Sequence, residues 1–329
     1  MKKRLIIVLA VVVLAVVAYV ILSAPKPARI AADIRVGEEV AFKSQGGTLA
    51  ASLLKPEGKA GPSPAVIMVV GSGSYSYRSS WRPDRFPFWK GIGEAFLAKG
   101  YAVLFLEKKG VNGTGGHWAR QSFADRAADV RAAVDYLRSR PDIDAQRIGV
   151  CGHSQGGWIA QLAAAEYPDK IAFIVCLAGP NVTVRRQILD DMESEWRCGG
   201  LGEDKVRNKV KRARFLFGVY GAVSNVVKVG YLGHILNYDP QGVASRIRCP
   251  ILAIYGENDR LVPPATNALL LEDELMQAGH KRHQIVILPG ANHGFQSSAV
   301  CFKWEELEQK FVPGFFEAIA AWEPFENRE

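Results

Sequence analysis

The sequence comprises 329 residues, of which 48% are hydrophobic and 22% are charged, a balance that excludes an intrinsically disordered or fibrous protein. Lys and Arg (41) exceed Asp and Glu (33) and give a net charge of +8, but no block of five like charges and no nucleic-acid-binding motif occurs, so no nucleic-acid partner is expected. The five cysteines show no CxxC spacing, which predicts neither a disulfide framework nor a zinc site and leaves open a bridge that involves Cys198 and Cys301.

An apolar segment lies close to the N-terminus. Residues 5–22 are 18 apolar residues without a charge, and a helix that rises about 1.5 Å per residue would nearly span a hydrocarbon core of roughly 30 Å. Cleavage after Ala24 would place Leu22 at the −3 position and Pro25 just beyond the cut. The segment 1–24 is therefore predicted to be an uncleaved signal anchor, a transmembrane helix, ahead of a cleaved signal peptide or a soluble buried helix.

The charges around this segment predict its orientation. More positive charge precedes the apolar run, at residues 2–4, than follows it, at Lys26 and Arg29, which favours a cytoplasmic N-terminus. The remainder of the chain is then expected to be extracytoplasmic, either periplasmic or extracellular, and to be secreted if the segment is cleaved.

A linker and one folded domain are predicted to follow. Residues 25–35 contain two prolines and are typical of a linker, and strand-like segments on both sides of Gly46 and Gly47 predict a β-hairpin. Continuous apolar runs, typical of strands covered on both faces, then occur at residues 65–71, 102–107, 147–152, 171–179, 249–256 and 283–290. Residues 36–325 are therefore predicted to form an α/β fold with a mostly parallel central sheet flanked by helices.

Helical patterns fill most intervals between these runs. Residues 123–139 place four apolar side chains on one stripe, and further helical patterns begin at Gly156 and cover residues 267–279 and 304–322. Residues 181–246 interrupt the alternation with many helix formers and carry 11 Lys and Arg against 7 Asp and Glu. This stretch is predicted to be a helical cap inserted over the strand ends. Its charge is expected to form a solvated face, with attraction of an anionic substrate or anionic lipid as the alternative.

One pentapeptide has the pattern of a serine nucleophile. Ser154 lies in GHSQG, after the apolar run RIGVCG and before a predicted helix, which is the strand–turn–helix context of a nucleophile elbow. Gly152 and Gly156 relieve crowding at such a turn. Serine needs a base within hydrogen-bonding distance and an acid that orients this base.

The base is expected from a loop late in the chain. His293, in LPGANHGF, follows the last predicted strand and is flanked by small residues. His153 is adjacent to Ser154 but is expected to point away from it, because neighbouring side chains diverge on a tight turn. No pair of histidines has the spacing of metal ligands, and no cofactor is expected.

The acid is expected after a strand between the serine and the histidine. Asp259, in YGENDRLVPP, lies just beyond the run CPILAIYG, and the order Ser154, Asp259, His293 is that of nucleophile, acid and base in hydrolases. Glu257 is the alternative acid, because it is two residues closer to the end of the strand.

Two backbone N–H groups are needed to stabilise the oxyanion of an acyl-transfer reaction. Gln155, which follows the predicted nucleophile, is expected to supply one of them. The other is expected from the turn GSGS after residues 65–71, with Ser72 as the first choice and Gly73 and Ser74 as alternatives.

These stretches together resemble a known superfamily. GSGS after a strand, KKGVNGTGG before a helix, DIDAQRIGVCGHSQGGW, CPILAIYGENDRLVPP and LPGANHGF resemble serine hydrolases of the α/β-hydrolase superfamily, nearest to the dienelactone-hydrolase-like and prolyl-oligopeptidase-like esterases. The resemblance covers residues from about 36 to 323. Two departures are that Val70 precedes Gly71 where such esterases often have His-Gly, and that Ser154 occupies the position of the cysteine nucleophile of dienelactone hydrolases.

The resemblance implies acyl transfer to water through an acyl-serine intermediate. The expected substrate is a small acyl compound, first a carboxylic ester, with a peptide or a thioester as alternatives. An acyltransferase or a non-catalytic binding protein would use the same fold differently. The predicted partners are this substrate and a membrane, through the N-terminal helix, whereas the oligomeric state is left open.

Overall fold

The computed structural model describes residues 33–58, 60–228 and 230–325. Within these residues the chain forms one eight-stranded sheet in the order β1-β2-β4-β3-β5-β6-β7-β8. The strands are β1 (Glu38–Ser44), β2 (Gly47–Leu54), β3 (Ser63–Val69), β4 (Ala102–Leu106), β5 (Ile143–His153), β6 (Ile174–Leu177), β7 (Ile251–Gly256) and β8 (His283–Leu288).

The sheet is mixed, with its antiparallel part at one edge. The predicted hairpin is present, because β1 and β2 are antiparallel on either side of the turn at Gly46, and β2 is also antiparallel to β4. All pairings from β4 through β3 to β8 are parallel. The mostly parallel sheet is thus confirmed, and the carboxyl ends of β3 to β8 lie at one edge, where ligands bind in open α/β sheets.

Helices cover both faces of the sheet. The α-helices of the described residues are α1 (Phe88–Ala98), α2 (Phe123–Arg138), α3 (Gln155–Glu166), α4 (Val184–Cys198), α5 (Glu203–Ser224), α6 (Gly230–Ile235), α7 (Pro264–Gln277) and α8 (Phe315–Ala321). One apolar cluster contains side chains of α2, α3 and α7, and the other contains side chains of α1 and α8. Alternate residues of β3 belong to the two clusters, as with Ile67 and Met68. This two-sided burial explains why the central strands are continuous apolar runs.

The predicted insertion contains three of these helices. α4, α5 and α6 all lie between β6 and β7, within residues 181–246. A disulfide joins Cys198, the last residue of α4, to Cys301 in the segment after β8. The sequence left this pairing open. Cys151, Cys176 and Cys249 are free and buried.

The last helix is shorter than the sequence pattern predicts. A helical pattern covers residues 304–322, but the structure has only a 3₁₀ turn at Trp304–Glu306 and then α8. Gly314 has a φ of 86°, which a continuous right-handed helix cannot contain, and Pro313 before it cannot donate a backbone hydrogen bond. The prediction of one continuous helix was therefore wrong.

Residues 1–32 lie outside the described part of the chain. They include the predicted transmembrane helix over residues 1–24 and most of the linker over 25–35. Among the residues that are described, no helix combines the length and the apolar character needed to cross a membrane.

Candidate active site

Ser154 occupies a strained turn between β5 and α3. Its backbone has φ 56° and ψ −123°, a combination that residues other than glycine rarely adopt. The Ser154 N–H donates to the carbonyl of Leu177 in β6 at 2.9 Å, and its carbonyl accepts the Gly157 N–H at 2.8 Å. The turn is thus held from both sides, while the Ser154 side chain lines a cleft at the carboxyl edge of the sheet.

The two glycines beside Ser154 have no room for a side chain. A Cβ on Gly152 would lie 2.0 Å from the carbonyl oxygen of Gly156, and a Cβ on Gly156 would lie 2.1 Å from the carbonyl oxygen of Val69. Helix α3 therefore begins in direct backbone contact with β3 and β5. This contact produces the sharp turn that exposes the serine.

Asp259 and His293 are hydrogen-bonded to each other. Asp259 follows β7 and His293 follows β8, and Nδ1 of His293 lies 2.7 Å from Oδ2 of Asp259. The other carboxylate oxygen accepts the N–H groups of Leu261 and Val262 at 2.8 and 2.9 Å. Asp259 is only 3% exposed. A carboxylate fixed in this way accepts a hydrogen bond from Nδ1–H of the imidazole, which leaves Nε2 available to accept a proton.

Ser154 and His293 line the same cleft, which has a volume of about 840 Å³. No hydrogen bond joins their side chains within the described residues. Such bonds are often long in enzymes without substrate and tighten when the substrate binds. Glu257, the alternative acid, accepts the Gly290 N–H at 2.8 Å, so the structure brings Asp259 rather than Glu257 to the imidazole.

Two backbone N–H groups, those of Gln155 and Ser72, lie close to Ser154. Gln155 is the first residue of α3, so its N–H has no acceptor within the helix. Gly71 lies against the nucleophile, because a Cβ placed on it would be 3.4 Å from Cβ of Ser154. Ser72, which follows Gly71, lines the cleft.

A buried lysine orients the segment that carries Ser72. Nζ of Lys108 donates to the carbonyl oxygen of Gly71 at 2.7 Å and also to that of Gly73. In a trans peptide the C=O and N–H groups point in opposite directions, so the Ser72 N–H points away from Lys108. This N–H makes no hydrogen bond inside the described part of the chain and is available to a ligand in the cleft.

Arg126 is a second buried cation beneath this segment. Its guanidinium donates to Oε1 of Gln155 at 2.7 Å and to the carbonyl of Val70 at 2.8 Å. Burial lowers the pKa of Lys108 well below its ordinary value, and the positive charge of Arg126 lowers this pKa further. Lys108 and Arg126 therefore act through their hydrogen bonds, which fix the backbone carbonyls around Ser72 and direct its N–H toward the cleft.

The carboxylate of Glu107, which precedes Lys108 in sequence, holds the residues that follow Gly73. Oε1 of Glu107 accepts hydrogen bonds from Ser76 at 2.6 Å, from Asn112 at 2.7 Å and from Arg78 at 3.3 Å. The sequence analysis did not identify Glu107, Lys108 or Arg126. The signal that could have found the first two is a pair of charged residues directly after a fully buried strand, β4.

His153 lies against the loop of His293, whereas its divergence from the Ser154 side chain stays a prediction. Its Nε2 donates to the backbone carbonyl of His293 at 2.9 Å, and the two rings are 4.7 Å apart. Burial and the neighbouring His293 lower the pKa of His153 to about 3. The neutral imidazole therefore supports the loop that carries His293.

This contact should make stability depend on pH. The unfolded chain binds a proton at His153 below its ordinary pKa of 6.5, whereas the folded chain keeps the ring neutral down to about 3. Stability present above pH 6.5 should thus be lost as pH falls, by up to about 1.4 kcal/mol per pH unit. His153→Gln, which can still donate to the carbonyl, should remove this component in urea unfolding measured from pH 7 to 4.5. Equal pH dependence in both proteins would contradict the prediction.

Aromatic side chains form one wall of the cleft. Residues 70–89, which follow β3, contain six aromatic side chains. Four of them line the cleft: Tyr75, Phe86, Phe88 and Trp89. The other two, Tyr77 and Trp81, pack against Phe105 with ring distances of 5.0 and 5.2 Å. The aromatic stretch thus supplies both local packing and an apolar wall.

Across the described residues, no cluster of three or more His, Cys, Asp or Glu side chains could hold a metal ion.

Residues 92–318, more than half of the chain, match the prolyl oligopeptidase family. The chain belongs to the prolyl oligopeptidase family. This family belongs to the α/β-hydrolase superfamily of serine hydrolases, as the resemblance in the sequence implied.

One relative is similar in sequence, and two solved structures are similar in fold. Esterase EstD of Thermotoga maritima is 26% identical over 242 residues, which are 72% of this chain and 56% of EstD. The chain thus spans little more than half the length of that relative. The fold is similar to that of the Pyrococcus furiosus esterase Pf2001, with a TM-score of 0.56 and 17% identity over 81% of this chain and 89% of that one. Est1E of Butyrivibrio proteoclasticus, in a structure with ferulic acid, gives a TM-score of 0.54 and 17% identity over 86% of this chain and 95% of that one.

Proposed function

We propose that this chain hydrolyses a carboxylic ester through an acyl-serine intermediate. The observation that carries the proposal is the hydrogen bond between Asp259 and His293, whose side chain lines the same cleft as Ser154. Ser154 Oγ would attack the acyl carbon while Nε2 of His293 accepts its proton, and Asp259 would stabilise the resulting imidazolium.

The remaining steps use the same groups. The N–H groups of Gln155 and Ser72 would bind the oxyanion of the tetrahedral intermediate. His293 would then return the proton to the leaving alcohol, after which a water molecule, deprotonated by His293, attacks the acyl carbon and releases the acid and Ser154. This sequence consumes one water for each ester bond and needs no cofactor.

The choice of an ester rests on the cleft and on a relative. The aromatic wall suits an apolar acyl group, and EstD is named an esterase. A peptidase is the second candidate, because the family takes its name from an oligopeptidase. Thioester hydrolysis and acyl transfer would use the same steps with a different leaving group or acceptor.

The proposal is tested by covalent labelling and by substrate comparison. A fluorophosphonate probe should label the wild type and Ser72→Ala, which keeps the backbone N–H of residue 72, but not Ser154→Ala. A series of p-nitrophenyl esters should be hydrolysed faster than matched peptide anilides or thioesters. Absence of both labelling and hydrolysis in the folded wild type would refute the proposal, and hydrolysis of peptides alone would replace the esterase by a peptidase.

We also propose that the domain lies outside the cytoplasm, tethered by residues 1–24. The positive charges at residues 2–4 support this location. The Cys198–Cys301 disulfide also supports it, because such bonds persist in oxidising compartments. Protease added to cells with any outer barrier opened should degrade the domain without lysis. Protection until lysis would refute this location.

A further inference from the structure

The C-terminal half of α5 and the turn after it expose large apolar side chains. Phe215 is 70% exposed and Leu216 is 56% exposed, while Val226 and Val227 in the following turn are 86% and 53% exposed. Four neighbouring exposures of this size differ from isolated surface hydrophobes, which are common in globular proteins. Exposed apolar side chains concentrated in one segment in this way indicate an interaction surface.

Helix α5 carries apolar residues on its exposed side as well as on its buried side. Its inner side is buried through Val206, Val210 and Ala213. At about 100° per residue, Phe215 and Ala222 lie on one side of the helix, opposite these residues, and both are exposed. The apolar residues of the outer side are therefore not needed to pack α5 onto the rest of the insertion.

The patch is surrounded by positive charge. Residues 205–228 contain seven Lys and Arg and no Asp or Glu, namely Lys205, Arg207, Lys209, Lys211, Arg212, Arg214 and Lys228. Arg207 pairs with Asp204, and the Lys209 ammonium lies 4.8 Å from the Trp196 ring centroid. The other five make no ion pair within the described residues. This segment thus presents exposed cations next to exposed apolar groups.

We propose that residues 205–228 dock on the surface of an anionic phospholipid bilayer. Phe215, Leu216, Val226 and Val227 would enter the boundary between head groups and acyl chains, and the surrounding cations would bind lipid phosphates. A second copy of this chain fits less well, because seven like charges on each copy would face each other. The inference does not depend on the proposed reaction.

The position of the patch in the fold is consistent with this orientation. The insertion leaves the sheet after β6, at the carboxyl edge. Asp33, the first described residue, lies 3.7 Å from Arg82, which follows β3 and lines the cleft at the same edge. A chain anchored by residues 5–22, as the sequence predicts, would therefore enter the domain from the side on which the insertion lies.

The patch is also close in sequence to the candidate active site. Tyr231, in α6, accepts a hydrogen bond from the side chain of Gln155, only a few residues after Val227. Docking of the turn at residues 226–228 would therefore bring the segment that contacts Gln155, the residue after Ser154, toward the lipid surface.

The test places an environment-sensitive fluorophore in the patch of the full chain. Val226→Cys is labelled with a nitrobenzoxadiazole maleimide, since the native free cysteines are buried. The matched control is Met276→Cys, whose site is 57% exposed near the end of α7 at the opposite edge of the sheet. Both proteins are reconstituted into vesicles of phosphatidylcholine alone or mixed equally with phosphatidylglycerol.

We expect the label at position 226 to shift to shorter wavelength and to brighten at least twofold in the anionic vesicles only. The label at position 276 should change in neither. Lys211→Glu with Arg212→Glu should abolish the change at position 226, in protein whose thermal melting matches that of the parent. An unchanged signal at position 226, an equal change in both lipids, or a concentration-dependent change in detergent without lipid would each overturn the proposal, the last by showing self-association.

Discussion

Replacement of Asp259 by asparagine should lower kcat for ester hydrolysis about 10⁴-fold. The asparagine carbonyl can still accept the N–H groups of Leu261 and Val262, so the turn should stay folded. Its amide would face Nδ1 of His293, however, and would favour the tautomer that carries its proton on Nε2. That nitrogen could then no longer accept the proton of Ser154. The measurement is steady-state kinetics on p-nitrophenyl acetate.

Glu257→Gln is the matched control for this change. Its carboxylate accepts the Gly290 N–H rather than a bond from His293, and a glutamine carbonyl can do the same. The rate should stay within about threefold of the wild type, as for a surface hydrogen bond outside the reaction. A large loss in Glu257→Gln together with a small loss in Asp259→Asn would assign the acid to Glu257 instead.

Replacement of Lys108 by methionine should lower kcat about 100-fold while KM changes little. Without the ammonium, the carbonyls of Gly71 and Gly73 lose their donor, and the Ser72 N–H is no longer held toward the cleft. Loss of one oxyanion donor typically reduces kcat by about 10²–10³-fold. The affinity for a phenylboronic acid, which forms a tetrahedral adduct with the serine, should fall in parallel. A merely structural lysine would leave this affinity unchanged in protein that remains folded.

Lys109→Met separates this effect from the loss of any positive charge near the loop. Lys109 is adjacent in sequence, and its ammonium lies 3.5 Å from Asp129. Its removal should leave kcat and boronate affinity within about threefold of the wild type. Equal losses in both lysine variants would show that charge near the loop, and not the hydrogen bonds to its carbonyls, controls the rate.

Sequence reasoning located the candidate residues that follow strands. Ser154, Asp259 and His293 each come directly after a continuous apolar run, and parallel strands bring their carboxyl ends to one edge of the sheet. The order of the runs therefore sufficed to predict that these residues lie at the same edge. The contact between Asp259 and His293, 34 positions apart, is one result of this topology.

Contacts that depend on side-chain packing were beyond the sequence. Lys108 reaches Gly71 across 37 positions and Arg126 reaches Val70 across 56, and neither partner offers a side chain that could signal the pairing. The contact of His153 with the His293 carbonyl was not predicted for a related reason, because that carbonyl belongs to a loop 140 positions away.

The Cys198–Cys301 disulfide restricts how a substrate can enter. It ties the end of α4 to a point eight residues beyond His293 in sequence, with 5.3 Å between the two Cα atoms. If α4 swung outward as a rigid gate, it would drag the segment that holds the imidazole along with it. Such a movement of α4 would therefore displace His293 from Asp259 while the substrate enters. We therefore expect substrate and product to pass through the existing opening of the cleft, while the disulfide keeps α4 fixed to the segment after His293.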